Sequence, residues 1–114
     1  MKELKTDSLF RVMRIIVFYD LPTTTKADIS ISSKFRTELL KRGFLMLQES
    51  IYIKQCLNHD WVNRTMISLE GIVPKKGDVR ILKITEKQYE EIVILSGKKS
   101  LKEQYNNFNS LVVI

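Results

Sequence analysis

A chain of 114 residues is long enough to bury one compact core and too short for two, so we treat it as a single domain. Hydrophobic residues make up 44% of it and charged residues 28%, a globular balance that excludes the fibrous, disordered and membrane classes. Lysine and arginine total 19 against 13 acidic residues, and the formal charge of +6 favours a polyanionic partner, although lysines scattered over a solvated surface explain such a charge about as often.

The single cysteine, Cys56, excludes an intrachain disulfide and favours a reducing compartment. A structural zinc site needs about four Cys or His ligands, and the chain offers only Cys56 and His59. Charged residues near the N-terminus interrupt the apolar run of a signal peptide, and no run approaches the ~18 residues that span a bilayer. We therefore expect a cytoplasmic protein with no membrane partner.

Two stretches in the first half of the chain are strand-like. Residues 12–19 form a nearly continuous apolar, β-branched run that ends at Asp20, and this continuity predicts a strand covered on both faces. Residues 44–55 are again rich in Ile, Leu, Phe and Tyr, but polar residues interrupt them at positions 48–50. We expect one long kinked strand or two short strands there.

Two helices are predicted, one over residues 27–42, ended by Gly43, and one that reaches about residue 70. The candidate N-terminal caps are Thr25 and Asp28 for the first helix and Asn58 and Asp60 for the second. The side chains expected to be buried are Ile31, Phe35 and Leu39 in the first helix and Trp61, Val62, Met66 and Leu69 in the second.

The last third of the chain begins with a basic turn at residues 74–78, which precedes a predicted strand over residues 79–84. Thr85 and Gln88 have the spacing of a capping box, which predicts a short helix through Glu91. The apolar residues 92–95 predict a short strand. A polar linker over residues 98–107 leads to a final apolar strand at residues 111–114.

This order of elements is typical of an α+β sandwich, with two helices on one face of an antiparallel sheet. Because the strands are apolar on both faces, we expect a homodimer whose sheets pack against each other. The predicted division is an N-terminal extension (1–10), the folded domain (11–97) and a linker with a C-terminal strand that pairs at the dimer interface (98–114).

Short motifs occur along nearly the whole chain from about Arg11. In chain order they are Phe18-Tyr19-Asp20-Leu21-Pro22, Phe35-Arg36, Gly43-Phe44, Gln48-Glu49-Ser50-Ile51-Tyr52, Pro74-Lys75-Lys76-Gly77, Thr85-Glu86-Lys87-Gln88-Tyr89 and the terminal Leu-Val-Val-Ile. With this set of motifs the sequence resembles the small CRISPR-associated adaptation protein family, especially the branch found beside RNA-guided DNA nucleases.

The resemblance implies a ferredoxin-like βαββαβ fold with an added C-terminal strand, in a homodimer formed through the sheets. It implies a subunit that bridges copies of a larger CRISPR integrase subunit and supports double-stranded DNA during spacer acquisition in antiviral defence. Members of the family are also described as metal-dependent endonucleases acting on RNA, including single strands, or on DNA. The aspartate that ends the first strand, here Asp20, would then bind Mg²⁺ or Mn²⁺ together with its twofold mate and act in catalysis.

From the residues alone, Asp20 has two interpretations. It can cap the loop before Pro22 through an Asx-type hydrogen bond. Alternatively, Mg²⁺ is often held by one or two carboxylates plus water and substrate phosphate, so two Asp20 side chains across a twofold axis would suffice. His59 lies in a helix-capping neighbourhood, and Ser50 is expected to be a bend residue within reach of phosphate. The absence of a glycine-rich phosphate loop argues against a nucleoside-triphosphate enzyme.

The basic residues point to contacts with a phosphate backbone, which give affinity without sequence choice. The predicted contacts are Arg14, Lys34, Arg36, Lys41, Arg42, Lys75, Lys76 and Arg80. Arg14 has the alternative of an internal ion pair. Two hypotheses follow: a non-catalytic DNA-binding scaffold, and a divalent-metal phosphodiesterase that uses paired Asp20 carboxylates. An RNA-binding module of the RRM type is disfavoured because its aromatic strand motif is missing.

Overall fold

The computed structural model describes residues 11–97, which form four strands and three helices. The elements are β1 (Met13–Asp20), α1 (Lys26–Lys41), β2 (Leu45–Gln48), β3 (Ile51–Cys56), α2 (His59–Glu70), β4 (Asp78–Thr85) and α3 (Glu86–Glu90). The predicted N-terminal extension, linker and C-terminal strand lie outside the described residues.

The four strands form one sheet in the order β2-β3-β1-β4, and each neighbouring pair is antiparallel. β3 therefore lies between β1 and β2, while α1 connects β1 to β2 and α2 connects β3 to β4. This split βαβ arrangement is the ferredoxin-like fold, so the predicted α+β class and the βαββαβ order are confirmed.

The helix starts follow from local hydrogen bonds that the sequence predicts. At the start of α1 the amide of Asp28 donates to the Thr25 hydroxyl at 3.0 Å, and the Thr25 amide donates to the Asp28 carboxylate at 3.3 Å. At the start of α2 the side-chain oxygen of Asn58 accepts from the amide of Trp61 at 2.9 Å, so Asn58 and not Asp60 is the cap. Gly43, with φ of 86°, follows α1.

The strand-like stretch 44–55 is two short strands and not one kinked strand. β2 and β3 pair as a hairpin, with a register shift between Met46 and Gln48. Glu49 and Ser50 form the turn, and Ser50 adopts a left-handed φ of 64°. This turn carries part of the candidate site.

One face of the sheet carries the main core. Ile15 and Val17 of β1 are fully buried there, because their side chains point toward both long helices. Tyr19, two residues further along the same face, packs edge-on to Phe35 with ring centroids 5.0 Å apart. The buried residues that complete this cluster are Leu21, Leu39, Phe44, Tyr52, Cys56, Val62 and Leu69.

Three predictions about burial and strand content are wrong. Ile31 is 48% exposed and Trp61 37% exposed, because α1 buries Phe35 and Leu39 and α2 buries Val62, Thr65 and Leu69. Met66 is partly buried and packs against the core cluster, in agreement with its predicted place on the inner side of α2. Residues 92–95 pair with no strand of the described chain and are exposed, Leu95 at 94%.

The opposite face of the sheet, which we call the open face, is apolar in its middle. Cross-strand rows on β3, β1 and β4 place Ile53, Ile16 and Leu82 side by side, and Ile51, Phe18 and Arg80 in the next row. Leu82 is 49% exposed and Phe18 37%. Both long helices lie on the other side, so the described elements leave this apolar surface partly uncovered, as the continuous hydrophobicity of the strands predicts.

Candidate functional site

Asp20 lies at the end of β1, on the rim of the open face. In the antiparallel register it is directly opposite Asp78, the first residue of β4, and both side chains point to the open face. The guanidinium of Arg80 donates to the Asp78 carboxylate at 3.1 to 3.3 Å, and this hydrogen bond raises the pKa of Arg80. The carboxylate of Asp20 makes no hydrogen bond or ion pair within residues 11–97, so the alternative role as a loop cap is not supported.

The oxygen ligands at this rim fit a hard divalent cation in part. Mg²⁺ takes oxygen ligands and commonly needs one or two carboxylates, with water and substrate phosphate completing an octahedron. Opposite residues of an antiparallel pair have Cβ atoms about 4.5–5.5 Å apart, so Asp20 and Asp78 can approach a shared ion. Residues 11–97 contain no group of three or more Asp, Glu, His or Cys that could hold a metal. For a divalent ion, the described part of one chain would therefore supply only some of the ligands.

Arg14 does not fit its predicted role as a phosphate contact. Its side chain is 1% exposed, and its Nε and Nη2 each donate to a carboxylate oxygen of Glu86 at 2.7 Å. The guanidinium also lies 4.2 Å from the centre of the Tyr89 ring. Glu86 and Tyr89 belong to α3, which crosses the open face at the start of β1. The internal ion pair, the alternative that the sequence allowed, is what the structure shows.

The four predicted cations of α1 fall into two groups. Lys34 and Arg36 have no acidic partner within the described chain. Lys41 lies 3.4 Å from Glu38, and Arg42 donates to Glu38 at 2.9 Å and to Ser68 of α2 at 2.7 Å. These hydrogen bonds from Arg42 and Lys41 lower the pKa of Glu38. Arg42 thus fixes the end of α1 to α2, whereas Lys34 and Arg36 are available to an external anion.

The basic turn packs closely against the end of β1. Gly77 has φ of 96°, and a Cβ placed there would lie 2.7 Å from the Leu21 side chain and 2.8 Å from the carbonyl oxygen of Asp20. This close approach holds Lys75 and Lys76 at the same end of the sheet as Asp20. Both lysines are exposed and lack an acidic partner within residues 11–97.

The predicted cations are divided between the two ends of the fold. With a rise of 1.5 Å per residue, the 16-residue α1 is about 24 Å long, so Lys41 and Arg42 lie far from the Asp20 end of the fold. Arg36 instead lines a cleft between α1 and the turn at Ser50, together with Tyr19. Lys75 and Lys76 precede Gly77 and Arg80 follows it, so these three cations are also near the Asp20 end of the fold.

Asp78 and Tyr19 lie at the site but were not among the residues predicted from the sequence. Asp78 lies opposite Asp20 because of the long-range register of β1 and β4, which the sequence does not give. Tyr19 likewise had no signal, because its neighbours belong to distant parts of the chain. Burial, followed by the contribution of Tyr52, raises the pKa of Tyr19 to about 12.

Comparison with known proteins identifies the family. Residues 13–92 match the family model described as CRISPR associated protein Cas2. Proteins named CRISPR-associated endoribonuclease Cas2 are similar to this chain: that of Treponema denticola is 39% identical over 102 residues, covering 90% of this chain and 99% of the relative. That of Ligilactobacillus salivarius is 36% identical over 102 residues, covering 90% and 100%, and that of Campylobacter jejuni 35% identical over 103 residues, covering 90% and 72%.

A solved structure described as a crystal structure of Cas2 superimposes with a TM-score of 0.55, covering 79% of this chain and 92% of that one at 18% identity, which supports the fold. Within residues 11–97 no helix is long and apolar enough to cross a membrane. The match of the family model over most of the folded domain, together with relatives of this similarity, shows that the chain belongs to the Cas2 family of CRISPR-associated proteins.

Proposed function

We propose that this protein is the DNA-supporting small subunit of a CRISPR spacer-acquisition complex, acting as a homodimer formed through the open face of its sheet. The observation that carries the proposal is the apolar middle of that face, where Leu82 and Phe18 are 49% and 37% exposed in a single chain. A folded domain seldom leaves such a row of side chains to water unless the surface is an interface.

The dimer has a simple energetic basis. Burying a leucine or phenylalanine side chain completely is worth about 1.5–3 kcal/mol, so covering the exposed part of Leu82 and Phe18 gains about 1 kcal/mol each. In an isologous interface both copies bury the same side chains, so each gain counts twice. The partly buried Ile16, Ile51 and Ile84 surround Leu82 and Phe18 on the same face. A second copy of the chain is the occupant that we propose for the open face, because it would bring an apolar surface of the same kind.

Duplex DNA is the polyanion that the exposed cations fit. Lys34, Arg36, Lys75 and Lys76 have no acidic partner within the described chain, and a twofold axis doubles them. Contacts from such cations to phosphates release counterions, so binding weakens steeply with salt and carries no base preference. The same proposal includes a larger integrase subunit bridged by the dimer, and a cytoplasmic location.

Replacing Leu82 tests the interface directly. Leu82→Lys places a charge in the middle of the open face and is expected to give a monomer at micromolar concentration in light scattering. Ile67→Lys is the matched control, because Ile67 is 68% exposed on α2 and lies away from that face. A monomeric native protein, or dimers of unchanged stability in Leu82→Lys, would contradict the proposal.

The DNA-binding part of the proposal has its own measurement. Duplex affinity of the native dimer is expected to fall steeply between about 50 and 200 mM salt, the range in which phosphate contacts weaken. A flat response would count against the duplex as the partner. Co-purification with the integrase subunit, followed by integration of a duplex with and without this protein, tests the complex itself.

A second candidate function is a divalent-metal endonuclease that cleaves RNA or DNA. Two observations favour it: the Asp20 carboxylate has no partner in the described chain and faces Asp78, and the relatives are named endoribonucleases. A Mg²⁺ or Mn²⁺ ion at these oxygens would polarise a phosphate and lower the pKa of a bound water. In this reaction the chain itself would present the carboxylates of Asp20 and Asp78 at an accessible rim.

Asp20→Asn separates the two functions. If the protein is a scaffold, the variant supports duplex integration like the native protein; if it is a nuclease, metal-dependent cleavage of single-stranded RNA or of DNA is lost. Asp60→Asn is the matched control, since Asp60 is an exposed carboxylate on α2 that pairs with Arg64. Cleavage that persists in Asp20→Asn would exclude Asp20 as the catalytic residue.

A further inference from the structure

A cleft of about 450 Å³ lies between α1 and the β2–β3 turn, on the helix side of the sheet. Its polar lining comes from Arg36, Tyr19, Ser50 and Glu49, with the hydroxyls of Ser32 and Ser33 on α1. Arg36 has no acidic partner among the described residues, although its charge acts on Tyr19. An unpaired guanidinium among hydroxyl groups is a donor set suited to an oxyanion.

Tyr19 lines this cleft beside Ser50 and Tyr52, which form part of the same wall. Its ring is fixed by the edge-on contact with Phe35 and by the Tyr52 ring, whose centroid is 6.1 Å away. Because burial keeps this phenol protonated well above neutral pH, Tyr19 remains a neutral hydrogen-bond donor.

Ser50 adopts a conformation that favours glycine. Its φ of 64° makes it the one non-glycine residue with positive φ in residues 11–97. The left-handed region costs an L-residue other than glycine about 1 kcal/mol. The turn is fixed by the Tyr19 amide, which donates to the Ser50 carbonyl at 3.1 Å. A strained residue held by its surroundings suggests that its side chain has a use.

The charge in the cleft selects the kind of anion. Arg36 and Glu49 are the two charged side chains among its described lining, and their formal charges cancel. An internal phosphodiester carries one negative charge, whereas a terminal phosphate monoester carries about −1.5 to −2 at neutral pH. Arg36 attracts the second charge of a monoester and Glu49 repels it, so this charge gains no net attraction for its loss of hydration, and the lining favours the diester.

We propose that this cleft binds one internal phosphodiester of a nucleic-acid strand, through Arg36, Tyr19 and Ser50. The inference rests on the proposed nucleic-acid binding and gives it a defined location. A second cleft of about 380 Å³ shares Tyr19, Glu49 and Ser50 and extends to Asp20 and Arg80 on the open face. A strand held at Arg36 can therefore continue around the Ser50 turn to Asp20.

The probe for this cleft is a thymidine trimer without terminal phosphates, titrated into the full-length protein by NMR. Arg36→Gln removes a charge-assisted donor and is expected to weaken trimer binding by about tenfold or more. Lys34→Gln is the matched control: it removes an equal charge from the same helix outside the cleft, and about twofold is expected. Equal effects of the two substitutions would overturn the proposal.

Glu49 and Ser50 give independent readouts. Glu49→Gln is expected to strengthen binding of thymidine 5′-monophosphate more than binding of the trimer, and no change in either would count against the charge argument. Ser50→Gly is expected to raise the melting temperature and to weaken trimer binding, because it relieves the strain and removes the hydroxyl. Unchanged trimer affinity in Ser50→Gly would exclude its side chain from the site.

The inference and the proposed function can fail separately. If the native protein binds duplex DNA with a steep salt dependence but not the trimer, the cleft is not a phosphodiester site and the proposed function stands. If it binds the trimer in a manner that depends on Arg36 but does not bind duplex, the cleft stands and the duplex is the wrong partner. Tyr19→Phe keeps the ring that packs on Phe35 and supplies a folded variant for the same titration.

Discussion

Removing Glu86 should destabilise the fold because it leaves the Arg14 charge buried. Glu86→Ala deletes the acceptor of two 2.7 Å hydrogen bonds, and the 1% exposed guanidinium keeps the Tyr89 ring as its neighbour. Breaking a buried ion pair on one side typically costs about 3–5 kcal/mol. Because the Glu86 side chain is 23% exposed, water reaches the site, and we expect the low end of that range, about 3 kcal/mol.

Thermal and urea unfolding followed by circular dichroism, at one protein concentration, measure this cost. About 3 kcal/mol corresponds to a melting temperature lower by about 10–20 °C for a domain of this size. Glu90→Ala on the same helix is the matched control: Glu90 is exposed, and a change below about 0.5 kcal/mol is expected. A loss below about 1 kcal/mol in Glu86→Ala would refute the reasoning.

The double variant Arg14→Met with Glu86→Leu separates stability from binding. Replacing both charges with apolar side chains of similar volume is expected to recover most of the lost stability. Since Arg14 does not reach solvent, the double variant should also keep the native salt dependence of DNA binding. If the folded double variant lost about one unit of the salt slope, Arg14 would contact a phosphate after all.

Three further outcomes follow from local geometry. Gly77→Ala should lower the free energy of unfolding by about 2 kcal/mol or more, because the new Cβ collides with backbone. Gly97→Ala should lower it by about 1 kcal/mol, because a Cβ there meets nothing within 4 Å and only the φ of 105° is unfavourable. Urea unfolding measures both changes. Absorbance at alkaline pH should show a tyrosine titration near pH 12 that Tyr19→Phe removes. Because the folded pKa of Tyr19 is raised, its stabilisation is complete below about pH 10 and is lost as the pH rises toward 12. NMR titration should find the pKa of Glu38 below 4.5 in the native protein and higher in Arg42→Gln. The stability that the ionised Glu38 contributes is lost as the pH falls through the lowered pKa.

The features that the sequence predicts well depend on neighbouring residues. A capping box needs only Thr25 and Asp28, three residues apart, and the structure contains both of its hydrogen bonds. The apolar strands follow from composition within eight residues. The partly uncovered second face could also be anticipated, because two helices cannot cover both sides of a sheet whose strands are apolar throughout.

The features that the sequence does not give depend on long-range register. Arg14 and Glu86 are 72 positions apart, and only the path of α3 across the sheet brings them together. Spacing of four residues placed Ile31 in line with Phe35, but Phe35 already packs on Tyr19 near the end of β1, and Ile31, one turn earlier in α1, is 48% exposed. Trp61 occupies the first turn of α2 beside the buried Val62, where helical rotation alone decides which of two adjacent residues faces the core.

The short α3 and the exposed residues 92–95 have one explanation in the proposed dimer. α3 ends at Glu90, with Glu86 and Tyr89 beside Arg14, and it leaves Phe18 37% exposed and Leu82 49% exposed. In the proposed dimer a second copy of the chain would cover these two side chains. Residues 92–95 follow α3 as an exposed apolar segment, and we expect the partner to cover them as well. In the proposed dimer, α3 and its ion pair with Arg14 would cover the start of β1, and the second copy would cover the apolar middle of the open face.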